Sequence, residues 1–391
     1  MKSRLTPIRC IVVATACAVV SACGSEPHVG ILLPETGAAA SYGKAMRQGI
    51  ELAIDEAKAD GTYPEGLMLH WADSATDPAT AAAEYRRLAK DMNAKVIVAG
   101  VTSGEAKALL PVIDETQTIA LSPSASLPSL TRDSRLFFRV FSSDELEGRR
   151  AGRFLREDQD RDSVLILSED SEQARGIEPP FRQDFEQARG GKVVGKVLLT
   201  DPDWQQQTAD LLEAHRPGAV YIIGYAEPTL DAIRLLRQRR YDGIICASSA
   251  FNSGDVVENN SELLEGVYFP QPAFDTTDVN PLIERFVTEY RSRFNAEPDI
   301  YAAHAYDAIR VVFQVIPVVP VFETNELRKA LQFEIKEFPG VTGIIQFNEY
   351  GDVHHNPIMF IIKDGQVRNY ERWVDEEKKR IRDRIKNLLK G

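Results

Sequence analysis

The sequence predicts an α/β fold made of two similar lobes. Three observations predict it. Residues 29–33 form a continuous apolar run, as a strand covered on both faces requires. Tyr42, Ala45, Met46, Ile50, Ala53, Ile54 and Ala57 then recur at intervals of three and four, one stripe of a helix. Strand and helix patterns alternate in this way twice, with an extended break at residues 136–141 between the two series. Such alternation implies right-handed parallel crossovers, and so a parallel sheet in each series.

The elements follow in order. Pro34-Glu35-Thr36-Gly37 ends the first strand, residues 67–71 form a strand, and Asp77-Pro78 opens a helix that runs through Leu88. Residues 96–99 are strand, 106–113 helix and 119–121 strand, and 136–141 leave the first lobe. The second series has helix at 146–155, strand at 164–167, helix at 181–188 and strand at 193–199. A helix ending at 211–215, strand 219–223, helix 230–236 and strand 243–247 complete it. Residues 266–270 form a second crossing, 281–294 and 301–315 are long helices, and 340–347 form a third crossing. Residues 358–362 and 366–370 make a hairpin around Asp364-Gly365. The last helix carries Val374, Ile381, Ile385 and Leu388 on one side and Lys378, Lys379, Arg380, Arg382, Arg384 and Lys386 on the other. That basic side is either a solvated face or a contact for anionic lipid heads. No internal repeat is strong enough to indicate duplication.

Composition excludes several classes. The chain has 46 basic and 58 acidic residues, a formal charge of −12, so a phosphate backbone is repelled and nucleic acid is not an expected partner. The 43% apolar fraction suits a folded globular protein. Lys2, Arg4 and Arg9 precede an apolar stretch at 11–20 that is too short to span a bilayer, which marks an export signal. Val20-Ser21-Ala22-Cys23 resembles the bacterial lipobox, although that pattern usually has Leu where Val20 stands. The resemblance implies lipid on Cys23 and removal of residues 1–22. Loss of the three basic residues takes the exported charge from −12 to −15. Cys246 ends an apolar strand and is expected to be an inert buried thiol, with no internal disulfide.

Ligands of open α/β sheets sit beyond the carboxyl ends of strands. Two such ends stand out in the first lobe. Gly100-Val101-Thr102-Ser103-Gly104 places hydroxyls and unpaired N–H groups at a helix start, which suits an anion or serves only as a cap. Ser122-Pro123-Ser124-Ala125-Ser126-Leu127-Pro128 is a stiff loop with exposed hydroxyls and carbonyls. Both loops are placed to face one cleft.

Taken with other landmarks, these loops are similar to the type I periplasmic substrate-binding proteins of the leucine/isoleucine/valine-binding family. The landmarks are residues 30–37, Ser41-Tyr42-Gly43, Asp73 with Asp77-Pro78, Ser122 to Ser126, Phe138-Arg139, Asp144, Gly148 and residues 343–347. The resemblance covers about residues 29–373. It implies two Rossmann-like lobes joined by three crossing strands, closing on a small molecule about a hinge. The boundaries it implies are signal 1–22, tether 23–28, lobe 1 at 29–141 plus 272–340, lobe 2 at 142–271 plus 341–373, and a C-terminal amphipathic helix at 374–391.

By position, the resemblance assigns Ser103 to the ligand carboxylate, and Ser124, Ala125 and Ser126 to carboxylate and amine. It makes Tyr42 and Tyr301 aromatic walls, Tyr225 the cover from the second lobe, and Asp144 the acid at the first crossing. Two departures bear on the ligand. The acid that amino-acid binders usually carry after the strand at 243–247 is replaced by Ser248-Ser249-Ala250-Phe251. A buried ammonium without a carboxylate partner is costly, so either Asp144 supplies the charge or the ligand lacks an amine. The family's Tyr-Gly after the first strand of lobe 2 becomes Arg175-Gly176, and that arginine is either a grip for a second carboxylate or a solvated charge.

No catalytic signature is present: there is no His-Glu-x-x-His, Gly-x-Ser-x-Gly or phosphate-loop lysine motif, and His354-His355 fits a solvated pair better than a metal site. The expectation is a lipid-anchored solute receptor, with no cofactor, that passes an amino acid or small carboxylate to an ABC permease. The alternative is an envelope scaffold or regulator of the same fold with a degenerate cleft and a protein partner.

Overall fold

The structure is a computed structural model that describes residues 26–187, 190–252, 256–353 and 356–388. Cys23, the leader before it and His354-His355 lie outside the described residues. The first lobe begins with β1 (His28–Leu33), α1 (Ala40–Asp60), β2 (Met68–Asp73), α2 (Pro78–Lys90), β3 (Val96–Val98), α3 (Ser103–Thr116), β4 (Ile119–Ser122), the short α4 (Ser129–Asp133) and β5 (Phe137–Arg139). Its strands are parallel in the order β2-β1-β3-β4-β5. Val29, Ile31, Leu32 and Leu33 are fully buried because helices cover both faces of β1. At the start of α2, Asp77 Oδ1 accepts the Thr80 N–H at 2.7 Å and Pro78 takes the first helical position, as the sequence predicts.

The second lobe contains α5 (Asp144–Arg153), β6 (Ser163–Ser168), α6 (Glu172–Arg182), β7 (Lys192–Leu198), α7 (Trp204–His215), β8 (Ala219–Ile223), α8 (Ala226–Gln238), β9 (Ile244–Ala247), the short α9 (Val256–Asn259) and α10 (Ser261–Leu264), and β10 (Tyr268–Gln271). The chain returns to lobe 1 for α11 (Pro281–Phe294), α12 (Ile300–Val315), α13 (Thr324–Phe333), β11 (Phe338–Gly340) and β12 (Gly343–Ile345). It ends in lobe 2 with β13 (Ile358–Lys363), β14 (Gln366–Asn369) and α14 (Tyr370–Leu388). The second sheet runs β14-β13-β10-β9-β8-β6-β7. Its five parallel strands repeat the arrangement of the first sheet, so each lobe has a switch point, between β1 and β3 and between β6 and β8. Loops leaving the carboxyl ends at such points form the crevice in which ligands of these sheets bind.

Three expectations are corrected. Residues 340–347 do not cross to lobe 2: β11 and β12 pair with each other, and Val341, Ile345, Phe347 and Val353 are buried in the first-lobe core. Lobe 1 therefore extends to Val353 rather than stopping at 340, because those apolar side chains find their cover there. The helix expected at 181–188 begins at Glu172, and Pro179 and Pro180 lie inside it. The terminal helix begins at Tyr370, four residues ahead of the expected start. The hairpin at Asp364-Gly365 forms, with both residues at positive φ, 53° and 72°. Among the described residues no helix is long and apolar enough to cross a membrane.

Candidate functional site

The lobe-1 mouth is built from the loops after β3 and β4. Gly100 sits at φ +76°, and a Cβ there would lie 3.1 Å from the Ala106 Cβ, so the tight exit from β3 needs glycine. Thr102, not Ser103, caps α3. Its hydroxyl accepts the Glu105 N–H, and the Glu105 carboxylate returns to the Thr102 N–H at 3.0 Å. The cap leaves the Ser103 hydroxyl and the Ser103 and Gly104 amides at the positive end of the helix, with no acceptor among the described residues.

Ser122 ties the two loops together. Its hydroxyl donates to the Gly100 carbonyl at 2.8 Å and accepts the Ala125 N–H at 2.9 Å. Ser124 donates to the Val101 carbonyl at 2.6 Å. The Ala125 carbonyl receives Arg139 Nη1 at 3.3 Å. Ser124 and Ala125, expected to hold a ligand, are thus turned inward and engaged in shaping the mouth. Ser126 remains half-buried, and its carbonyl accepts the Asp144 N–H at 2.9 Å where the chain enters lobe 2.

Tyr42 and Tyr301 come together, with stacked rings 4.3 Å apart. Asp299 fixes Tyr301 by capping α12, accepting the Ala302 N–H at 2.8 Å. Tyr225 arrives from lobe 2, its N–H held by Glu169 Oε2 at 2.6 Å. As a residue it is 52% exposed, and its hydroxyl lies near Asp144, Glu169 and Tyr42. Burial pushes that hydroxyl's pKa up, and Asp144, Glu169 and Tyr42 act in the same direction.

Asp144 and Glu147 lie one turn apart on α5, and both are buried. Burial raises the Asp144 carboxyl to about 7, against the opposing effect of the nearby Ser126 hydroxyl and Arg139 guanidinium. Neither Asp144 oxygen has a hydrogen-bond donor in good geometry among the described residues, nor has Arg139 Nη2 an acceptor. Glu147 is raised to about 8 by burial and then by the Asp144 charge. Its oxygens accept the Ser249 N–H at 2.8 Å and the Ser249 hydroxyl at 2.6 Å. The acid missing from the loop after β9 is therefore supplied to that loop by α5. Sequence reasoning missed Glu147, although its i, i+3 spacing from Asp144 puts both acids on one helix face. Cys246 is buried nearby, its thiol pushed up by burial and by Glu147.

Arg175 does not join this group. It pairs with Asp170 and Glu172 of its own lobe, at 2.5 and 3.3 Å, and lines a cavity of about 520 Å³ on one flank of the cleft. On the other flank, Asn252, Gln271 and Phe360 of lobe 2 face Pro298, Asp299 and Tyr301 across a cavity of about 490 Å³. The lobes touch between them. Lys107 of α3 is 3.7 Å from Glu172 of α6, and a Cβ on Gly176 would lie 3.2 Å from Pro128 and 2.9 Å from Asp144. These residues converge where the two lobes meet, with a cavity on either side. Among the described residues no cluster of three or more His, Cys, Asp or Glu is placed to hold a metal ion.

Comparison with known proteins finds the same fold. A family model described as periplasmic binding protein matches residues 26–366. A leucine-, isoleucine-, valine-, threonine- and alanine-binding protein of Pseudomonas aeruginosa is 24% identical over 82% of this chain and 85% of its own length. A branched-chain amino acid transporter substrate binding protein from Streptococcus pneumoniae, solved with isoleucine, superposes with a TM-score of 0.76 at 24% identity, covering 87% of this chain and 97% of that one. A solute binding protein of an ABC transporter from Rhodopseudomonas palustris, solved with 3,4-dihydroxybenzoic acid, gives 0.74 at 20% identity over 88% and 95%.

Proposed function

This chain belongs to the periplasmic binding protein family, and from that premise we propose that it is the solute receptor of an ABC transporter whose ligand is a small α-amino acid held between the lobes. It is a binding protein, not an enzyme. The observation that carries the amino-acid reading is the buried pair Asp144 and Glu147 where the lobes meet, with neither Asp144 oxygen given a well-placed donor among the described residues. A ligand ammonium offers Asp144 its missing donors and gives the acid pair a positive partner. At the opposite side, the Ser103 hydroxyl and the free amides of Ser103 and Gly104 suit a carboxylate. Tyr42, Tyr301 and Tyr225 enclose the side chain, and Ser126 lines the hinge side. Closure about the crossings traps the ligand, because contacts to both lobes exist only in the closed state.

The same reading places the protein in the periplasm, tethered through lipid on Cys23, delivering its ligand to a permease in the inner membrane. The tetrapeptide ending at Cys23 supports the tether. A second reading, a carboxylic acid without an amine, is favoured by the aromatic wall and by the dihydroxybenzoate-bound neighbour.

A thermal-shift screen across L-amino acids, their keto-acid analogues and benzoates tests the proposal. A ligand of the folded state at a hundredfold excess over its Kd stabilises by about 2.7 kcal/mol. Amino acids are expected to raise the melting temperature where the matching keto acids do not. A shift with benzoates alone selects the second reading, and no shift with any compound removes the receptor function.

A further inference from the structure

The last helix leaves the body of the protein. Trp373 and Val374 are half-buried, but every side chain from residue 378 to 387 is exposed. Ile381 and Ile385 are 56% and 51% exposed and lie one turn apart, in line with Val374 seven residues before Ile381. Lys378 and Arg384 stand three residues to either side of Ile381, so each borders this apolar line. Lys379, Arg380, Arg382 and Lys386 complete the polar side, against one acid, Asp383, in the same stretch. Lys378 and Arg380 are paired back along the helix to Asp375 and Glu377. Lys379, Arg382, Arg384 and Lys386 have no carboxylate at ion-pair distance among the described residues. Basic residues near a helix C-terminus suit the helix dipole. The dipole does not account for two bare isoleucines bordered by cations in a chain of net charge −12.

We propose that residues 378–388 of α14 form a docking surface for an anionic lipid membrane, lying flat with Ile381 and Ile385 inserted and the basic residues on the headgroups. A narrow apolar line flanked by Lys and Arg is the pattern of an interfacial helix, whose long cationic side chains reach up to the headgroups. A second copy is the poorer occupant, because facing helices would set the Lys378 and Arg384 borders against like charge. The cations are spread around the helix rather than gathered in one patch, which matches a continuous charged sheet better than a discrete acidic partner.

The test is co-sedimentation of the full chain with vesicles of phosphatidylcholine containing phosphatidylglycerol, and with phosphatidylcholine alone. Two variants are compared with wild type: Ile381→Asp with Ile385→Asp, and Lys379→Glu with Arg382→Glu, Arg384→Glu and Lys386→Glu. The apolar leader is common to all three chains, so the comparison isolates the helix. Wild type is expected to prefer the anionic vesicles by on the order of tenfold or more, and both variants to lose that preference at unchanged melting temperature. Equal sedimentation of variants and wild type overturns the proposal. So does a wild-type dimer in sedimentation velocity that the isoleucine variant abolishes, which would make a second copy the occupant.

Discussion

Glu147 holds Ser249 through both its backbone N–H and its hydroxyl, at 2.8 and 2.6 Å, across 102 residues of sequence. The contact joins the first turn of α5 to the loop after β9, and so fixes one wall of the cleft from the hinge side. It also brings a carboxylate to Ser249, in a stretch, residues 248–251, that carries none of its own.

Removing that carboxylate has a defined consequence. Glu147→Ala leaves the half-buried Ser249 N–H and hydroxyl without their charged acceptor and should cost about 1–3 kcal/mol in denaturant unfolding. Glu147→Gln keeps an acceptor and should retain most of the stability near neutral pH. Both variants should bind an amino-acid ligand more weakly, by roughly tenfold or more, as read by calorimetric titration. Unchanged affinity in both would detach Glu147 from the site.

The acid pair also sets a pH dependence. Asp144 rises from 3.8 to about 7 and Glu147 from 4.5 to about 8 on folding. Groups raised in the folded state contribute stability that is present below their unfolded values and lost as pH climbs through the folded ones. Unliganded protein should therefore lose stability from about pH 4 upward until pH 8. Each group contributes up to about 1.4 kcal/mol per pH unit. Asp144→Asn should flatten this slope between pH 5 and 7 in urea titrations, and a wild-type slope that survives the substitution would contradict the assignment. Binding of an ammonium runs the other way: it needs the acids ionised, so affinity should fall as pH drops from 8 to 6.

Much of the fold is legible in the sequence because its signals are local. The apolar run of β1, the Asp77-Pro78 helix start and the Asp364-Gly365 turn each depend on neighbours a few residues away. The misses have non-local causes. Residues 340–347 carry an apolar pattern that fits a crossing as well as a ribbon, and only burial against lobe 1 decides between them. Pro179 and Pro180 hide the first half of α6, which persists because it packs closely on α5, where a Cβ on Gly148 would fall 2.2 Å from the Ile177 carbonyl oxygen. Within the site, the family resemblance singles out Tyr42 and Tyr301, but their ring stack is seen only in the structure. The inward turn of Ser124 and Ala125 does not follow from the resemblance either, because it depends on Ser122 and Arg139 as partners.

Gly176 tests closure. A methyl group there would press on Asp144 of its own lobe at 2.9 Å and on Pro128 of the other lobe at 3.2 Å. Gly176→Ala should weaken ligand binding by roughly tenfold, about 1.4 kcal/mol, and hold the lobes apart. Small-angle scattering with ligand present should then show no compaction in the variant. Wild-type compaction would exonerate the contact.

Tyr225 separates binding from folding. Its ring is half exposed, so Tyr225→Ala should change unfolding stability by less than about 0.5 kcal/mol. Affinity should drop by tenfold or more, since a rigid aromatic cover is the kind of contact that dominates binding energy. A large loss of stability with intact affinity would reverse its assigned role.

Isothermal titration of the unliganded protein with L-leucine and its keto-acid analogue, in wild type and Asp144→Asn, bears most directly on how the cleft recognises its guest. One-to-one binding of the amino acid, loss of that binding in the variant and weak or absent binding of the keto acid are the predicted results. Equal affinity for both compounds, or amino-acid binding indifferent to Asp144, would contradict the account.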